Sequence, residues 1–116
     1  MIYAEAQNEL SGPTTEAYSA INEVRTRARN GDENVLPELI GLSKDEFREA
    51  VLHERRVEFV NEGKRWYDLV RTNNLVEYVV RAKGSSTNPQ EFNYVFPIPQ
   101  RERDINTNLS QNLGYN

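Results

Sequence analysis

Glu54, Glu58 and Glu62 recur at helical spacing in the stretch "HERRVEFVNEGKRWYDLVR", His53 to Arg71, beside Arg55, Arg65, Trp66, Asp68, Arg71 and the chain's single histidine. Three chemistries draw on such residues. A zinc protease of the H-E-x-x-H kind needs a second histidine four residues after the first, and position 57 is Val57. A carboxylate-bridged metal site needs Glu-x-x-His motifs from two helices, whereas Glu49 and His53 stand four apart with no second copy. A glycosidase needs two carboxylates about 5–10 Å apart across an open cleft. Glu54 and Glu58 satisfy that spacing, so their surroundings decide.

At about 100° per residue, Glu54 and Glu58 fall within about 80° of Phe47, on the same face as Ala50, Val51 and Val57. Leu52 and Phe59 form a second apolar sector, which leaves Glu49, His53 and Arg56 as the wettest side. A carboxylate on an apolar face must be paired, because an isolated buried charge is prohibitive. The available partners are Arg25, Arg27, Arg55, Arg65 and Arg71. Glu54, Arg55, Glu58, Glu62, Arg65, Trp66, Asp68 and Arg71 therefore read as a structural network, with no catalytic residue, metal ligand or cofactor site. Orphaning Glu58 or Arg65 in such a network is expected to cost about 2–4 kcal/mol. Trp66, on one face with Leu69 and Val70, reads as core.

The elements around this stretch are mostly helical. "MIYAEAQNEL" places Tyr3, Ala6 and Leu10 at helical spacing without a capping residue before Ile2, which suggests a helix entered partway. After a turn at Ser11–Pro13, the stripe Ala17, Ile21, Val24 and Ala28 predicts a helix closed by Asn30-Gly31. The two should form a short-looped antiparallel hairpin of the type that builds tetratricopeptide solenoids. Ser43 and Glu46 make a capping box for a helix reaching about residue 62, where Gly63 breaks it. The expected helices are thus about 2–10, 14–29, 43–62 and 64–72. "NNLVEYVVRAKG" suits helix or strand equally. From Phe92 onward, four aromatics, two prolines and five asparagines point to an irregular C-terminal strap, residues 92–116, clamped onto helices.

Composition narrows the partners. The 116 residues fit one domain with a modest core. No cysteine is present, which excludes disulfides and thiolate chemistry. A net charge of −4 without a basic run argues against nucleic acid. No segment is apolar enough to span a bilayer.

Two motifs carry a resemblance. Glu54, Arg55, Arg56, Glu58, Glu62, Gly63, Arg65, Trp66, Asp68, Leu69 and Arg71 match an ERR…E…EG.RW.DL.R block. Pro97, Ile98, Pro99, Glu102, Asn106, Gln111, Asn112, Gly114 and Tyr115 match a closing PIP…E…N…QN.GY pattern. With "YAEAQNEL" and "AINEVRTRAR" in order before them, the chain resembles the C-terminal part of the SusD/RagB family from Tyr3 to Tyr115. It departs at Arg103, where an aliphatic residue is usual, and at Thr107 and Leu113, where prolines are common.

The resemblance implies a helical fold with tetratricopeptide-like hairpins and membership of a surface-exposed, outer-membrane lipoprotein of Bacteroidetes. Such proteins are several times longer and carry their lipid anchor outside the region matched here. It further implies a non-catalytic role: the full-length protein captures oligosaccharide, as in starch utilization, and works with a SusC-like TonB-dependent transporter. No sugar-binding residue is carried over. Two other classes stand beside it, a stand-alone helical interaction module and a glycan-cleaving enzyme. Apolar sectors left exposed would also favour a homo-oligomer.

Overall fold

The computed structural model describes residues 1–115. Among them it contains six α-helices, two single 3-10 turns and no strand. The helices are α1 (Ile2–Ser11), α2 (Thr15–Arg29), α3 (Lys44–Glu58), α4 (Lys64–Arg71), α5 (Leu75–Lys83) and α6 (Gln100–Ile105). The chain divides into two compact units, Met1–Arg65 and Trp66–Asn116. Most of the fold is the expected helical one, with a strap at its C-terminal end.

In the first unit local chemistry sets the helix ends. The Thr14 hydroxyl accepts from the Ala17 N–H at the start of α2, and Asn30 closes the helix in the left-handed conformation at φ 48°. Ser43 and Glu46 form the complete capping box of α3. Glu46 Oε2 accepts from the Ser43 N–H at 2.8 Å, and the Ser43 hydroxyl accepts from the Glu46 N–H at 3.3 Å. α3 ends at Glu58, a turn earlier than the helical pattern suggests. Phe59 caps it, and Asn61 and Gly63 follow at φ 65° and 71°. Two left-handed residues so close together cannot continue a helix.

The core of this unit is Ala4, Ala17, Ile21, Phe47 and Val51, with Tyr18 set edge-on against Phe47 at 5.1 Å. Full burial of Ile21 or Phe47 contributes roughly 1.5–3 kcal/mol each. α1 packs on both α2 and α3. Its inward face is not the Tyr3, Ala6 and Leu10 stripe, all of which are exposed, but Ala4 and Asn8. Small Ala4 and Ala17 let the helices approach, and buried Asn8 donates to the Lys44 carbonyl at 3.1 Å. Likewise α2 buries Ala17 and Ile21 but leaves Val24 half-buried and Ala28 exposed.

In the second unit "LVEYVVRAK" is helix α5, ended by Gly84, whose N–H returns to the Val80 carbonyl. Leu69 and Leu75 are its buried apolar residues. The strap is less irregular than its composition implies, with a 3-10 turn at Glu91–Tyr94 and helix α6 following Pro99. It packs on the helices of its own unit: Phe96 stacks on Trp66 at 4.8 Å, and the Tyr94 hydroxyl accepts from the Val76 N–H.

Candidate functional site

The carboxylates of α3 face α2, and each meets an arginine. Arg25 donates to Glu54, with side-chain exposures of only 10% and 8%. One turn further on, Arg27 donates to Glu58, with exposures of 67% and 28%. These two pairs, alike in sequence spacing, differ in physics: the first is desolvated and the second largely solvated. A large penalty for losing Glu58 does not fit that setting. Val57, on the same side of the helical wheel, is exposed as well. Glu62 lies beyond the end of α3 and pairs with Lys64 at 2.8 Å, in place of the arginine partner its spacing suggests.

The rest of the charged stretch also braces the chain. Arg65 donates to the Leu52 carbonyl at 3.3 Å. Arg55 and Lys64 both lie over the Phe59 ring, at 5.1 and 3.9 Å from its centre. Asp68 is buried, and its Oδ1 accepts two bonds from Arg71 at 3.0 and 2.9 Å. Trp66 is half-buried rather than core, because Phe96, its stacking partner, is itself 65% exposed. His53 is exposed on the wet side of α3.

Sequence periodicity gives no hint of the tether that holds residues 31–42. Tyr18, Asn22 and Arg25, successive on one face of α2, grip the main chain of this loop. The Tyr18 hydroxyl donates to the Leu42 carbonyl at 3.2 Å and accepts from its N–H at 2.6 Å. The Asn22 amide does the same with Leu39, at 3.1 and 2.9 Å. Arg25 Nε donates to the Pro37 carbonyl at 2.9 Å, so one guanidinium joins α2, the loop and α3. Leu36, next to the gripped Pro37, stands at φ 54°, a backbone conformation that costs an ordinary residue about 1–2 kcal/mol.

A second tether closes the strap. The Gln111 side chain accepts from the Ile98 N–H at 2.7 Å and donates to the Ile98 carbonyl at 2.9 Å. Asn112 donates to the Phe96 carbonyl at 2.7 Å, and the Tyr115 hydroxyl donates to that of Val95 at 2.9 Å. Tyr115 also meets Phe92 edge-on at 5.0 Å. Gly114, at φ 89°, leaves room for this: a Cβ there would stand 2.3 Å from the Phe92 ring.

In this arrangement the charged side chains brace the chain. Glu54 and Glu58 each face an arginine. Among the described residues no group of three or more His, Asp or Glu side chains converges as a metal site. The shifted carboxyl groups are caps and ties: Arg48 and its charge hold Glu9 below its ordinary pKa, and bonds from Ser43 do the same for Glu46. The first unit has an open groove of about 790 Å³ between α2 and the tethered loop, bordered by Thr15, Ser19, Glu23, Glu38 and Ile40. No helix is long and apolar enough to cross a membrane among the described residues.

Comparison with known proteins agrees with these motifs. A family model described as "SusD family" matches residues 1–115. SusD-like protein P2 of Formosa agariphila is 39% identical over 121 residues, which cover 99% of this chain and 24% of that protein. SusD-like protein P38 of the same organism is 35% identical, covering 99% of this chain and 22% of its own length. The crystal structure of a SusD homolog from Bacteroides thetaiotaomicron superposes with a TM-score of 0.77 at 34% identity, over 97% of this chain and 25% of that one. The chain thus spans about a quarter of the length of these relatives.

Proposed function

This chain belongs to the SusD family, and from that premise we propose that it is the C-terminal helical part of a cell-surface glycan-binding protein for nutrient uptake. The full-length protein captures oligosaccharide at the outer membrane and passes it to a SusC-like TonB-dependent transporter. It performs no catalysis. Within it the present residues act as scaffold, holding the shape on which the sugar-contacting parts are mounted.

The observation that carries this reading is the fate of the charged helix. The carboxylates best spaced for acid/base work, Glu54 and Glu58, are taken up by Arg25 and Arg27 across a helix–helix contact. Carboxylates so placed stabilise packing, whereas glycoside hydrolysis needs two of them on either side of a bound sugar.

The test is a glycan-panel titration of the family-length protein and the 116-residue chain side by side, with released reducing ends measured in both. The expected result is binding by the long protein, none by the short chain, and no released sugar from either. Reducing ends released by the short chain would replace this reading with an enzyme. Co-purification of the long protein with its transporter tests the partnership, and its absence in outer-membrane extracts that contain both would overturn that part alone.

A further inference from the structure

Asn30 closes α2 and Gly31 opens the loop that follows, and both are exposed. Four asparagines stand in the left-handed backbone region, Asn30, Asn61, Asn73 and Asn88, at φ 48°, 65°, 56° and 43°. Their successors differ. Glu62 and Asn74 carry side chains that crowd the peptide nitrogen, and Pro89 has no N–H at all. Gly31 presents neither obstacle. It stands at φ 89° with nothing within 4 Å of where a Cβ would be. Asn30-Gly31 is also the only Asn-Gly pair in the chain.

We propose that Asn30-Gly31 is a site of spontaneous covalent modification, at which the exposed end of α2 converts to an isoaspartyl or aspartyl linkage. Loss of its proton to hydroxide lets the Gly31 nitrogen attack Asn30 Cγ. The new C–N bond closes a succinimide ring, the bond to the side-chain nitrogen breaks, and that nitrogen leaves as ammonia. Water then opens the ring. Opening at Cγ gives aspartate, and opening at the main-chain carbonyl gives isoaspartate, in which the backbone runs through the former side chain. One water is consumed for each ammonia released, and nothing is oxidised or reduced.

The structure sets the resistance to this step. At ψ 41° the Gly31 nitrogen is turned away from Asn30 Cγ, so closure requires rotation about the Asn30 Cα–C bond. That rotation breaks the bond from the Asp32 N–H to the Arg29 carbonyl, 3.0 Å long, in a turn exposed from residue 30 to 35. Opening one exposed hydrogen bond slows closure by about tenfold at most. The product places a carboxylate at the negative end of the α2 dipole and, as isoaspartate, adds a methylene to the main chain. Both undo the cap. The change stops short of Pro37, because Arg25, Asn22 and Tyr18 grip Pro37, Leu39 and Leu42 from turns of α2 that precede it.

The test holds the 116-residue chain in mildly alkaline buffer, native and in urea. Samples are followed by ion exchange and by peptic mapping in acid, which halts the reaction. A more acidic form changed at residue 30 is expected in both, at rates within about tenfold of each other. Asn30→Gln, whose longer side chain closes a ring far more slowly, should remove it. In the purified isoaspartyl form, amide exchange should quicken in the last turn of α2 and stay unchanged at Leu39 and Leu42. A native chain that reacts more than about tenfold slower than the urea-unfolded one would overturn the proposal. Acidic forms that map first to Asn61 or Asn73, or that persist in Asn30→Gln, would do the same. Faster exchange at Leu39 or Leu42 would refute the confinement to the cap. The mapping in urea stands even if a variant does not fold.

Discussion

Arg25 and Glu54 offer the sharpest quantitative test of the structure. Arg25→Ala leaves a carboxylate whose side chain is 8% exposed with its counter-charge gone. Such an orphaned buried charge costs about 3–5 kcal/mol. The same substitution removes the donor to the Pro37 carbonyl, adding about 1 kcal/mol. Arg27→Ala removes a partner that is 67% exposed, and Glu58 stays in reach of water, so its cost is about 0–1 kcal/mol. The two variants should therefore separate by several kcal/mol, although each deletes one arginine from the same helix. Arg25→Met with Glu54→Leu removes both charges together and should recover most of the loss, since no charge is left unpaired. Urea unfolding followed by circular dichroism at neutral pH measures all four chains. Coincident curves for Arg25→Ala and Arg27→Ala would refute the distinction between the pairs. A double variant as unstable as Arg25→Ala would refute the attribution to an orphaned charge.

Acid unfolding tests the tie between α1 and α3, where Arg48 donates to Glu9 at 2.7 Å. Glu9 has its folded pKa lowered, so its contribution is complete above the unfolded value of about 4.3 and disappears as pH falls through the lower folded value. Glu9→Gln should flatten that part of the acid limb of a stability–pH curve while leaving the neutral-to-basic side unchanged in slope. In the strap, Gly114→Ala forces a side chain into the Phe92 ring at a positive φ. It should cost about 1–3 kcal/mol or more locally, read as faster amide exchange at Ile98, and unchanged exchange there would count against the clamp.

Local signals in the sequence were the most informative. The Ser43–Glu46 box, the left-handed Asn30 and the break at Gly63 each depend on neighbours within four residues, and each is present in the structure. The amphipathic pattern of α3 also placed Glu54 correctly among buried residues and kept Arg25 among its possible partners. Long-range polar contacts were invisible. Tyr18 and Asn22 bond to backbone atoms 24 and 17 residues away, respectively, and backbone acceptors carry no residue-type signature. The inward face of α1 was hidden for another reason, since small Ala4 and polar Asn8 fill it while larger apolar residues lie outside. Glu62 escaped its expected partner because the helix ends at Glu58, after which wheel positions lose their meaning. For α5, the β-branched residues Val76, Val79 and Val80 around Tyr78 suit either backbone, and only its packing and Gly84 end settle it as helix.

The tether on residues 31–42 has a consequence for how this loop can change. Tyr18, Asn22 and Arg25 hold it through carbonyl groups that every residue possesses, proline included, and through N–H groups that every residue but proline possesses. The loop's course is therefore written into α2, while much of the loop's own lettering, such as exposed Val35 and Ile40, is left open. Substitutions there can alter what the loop presents to solvent without rerouting it, so this edge of the first unit can diversify at little structural expense.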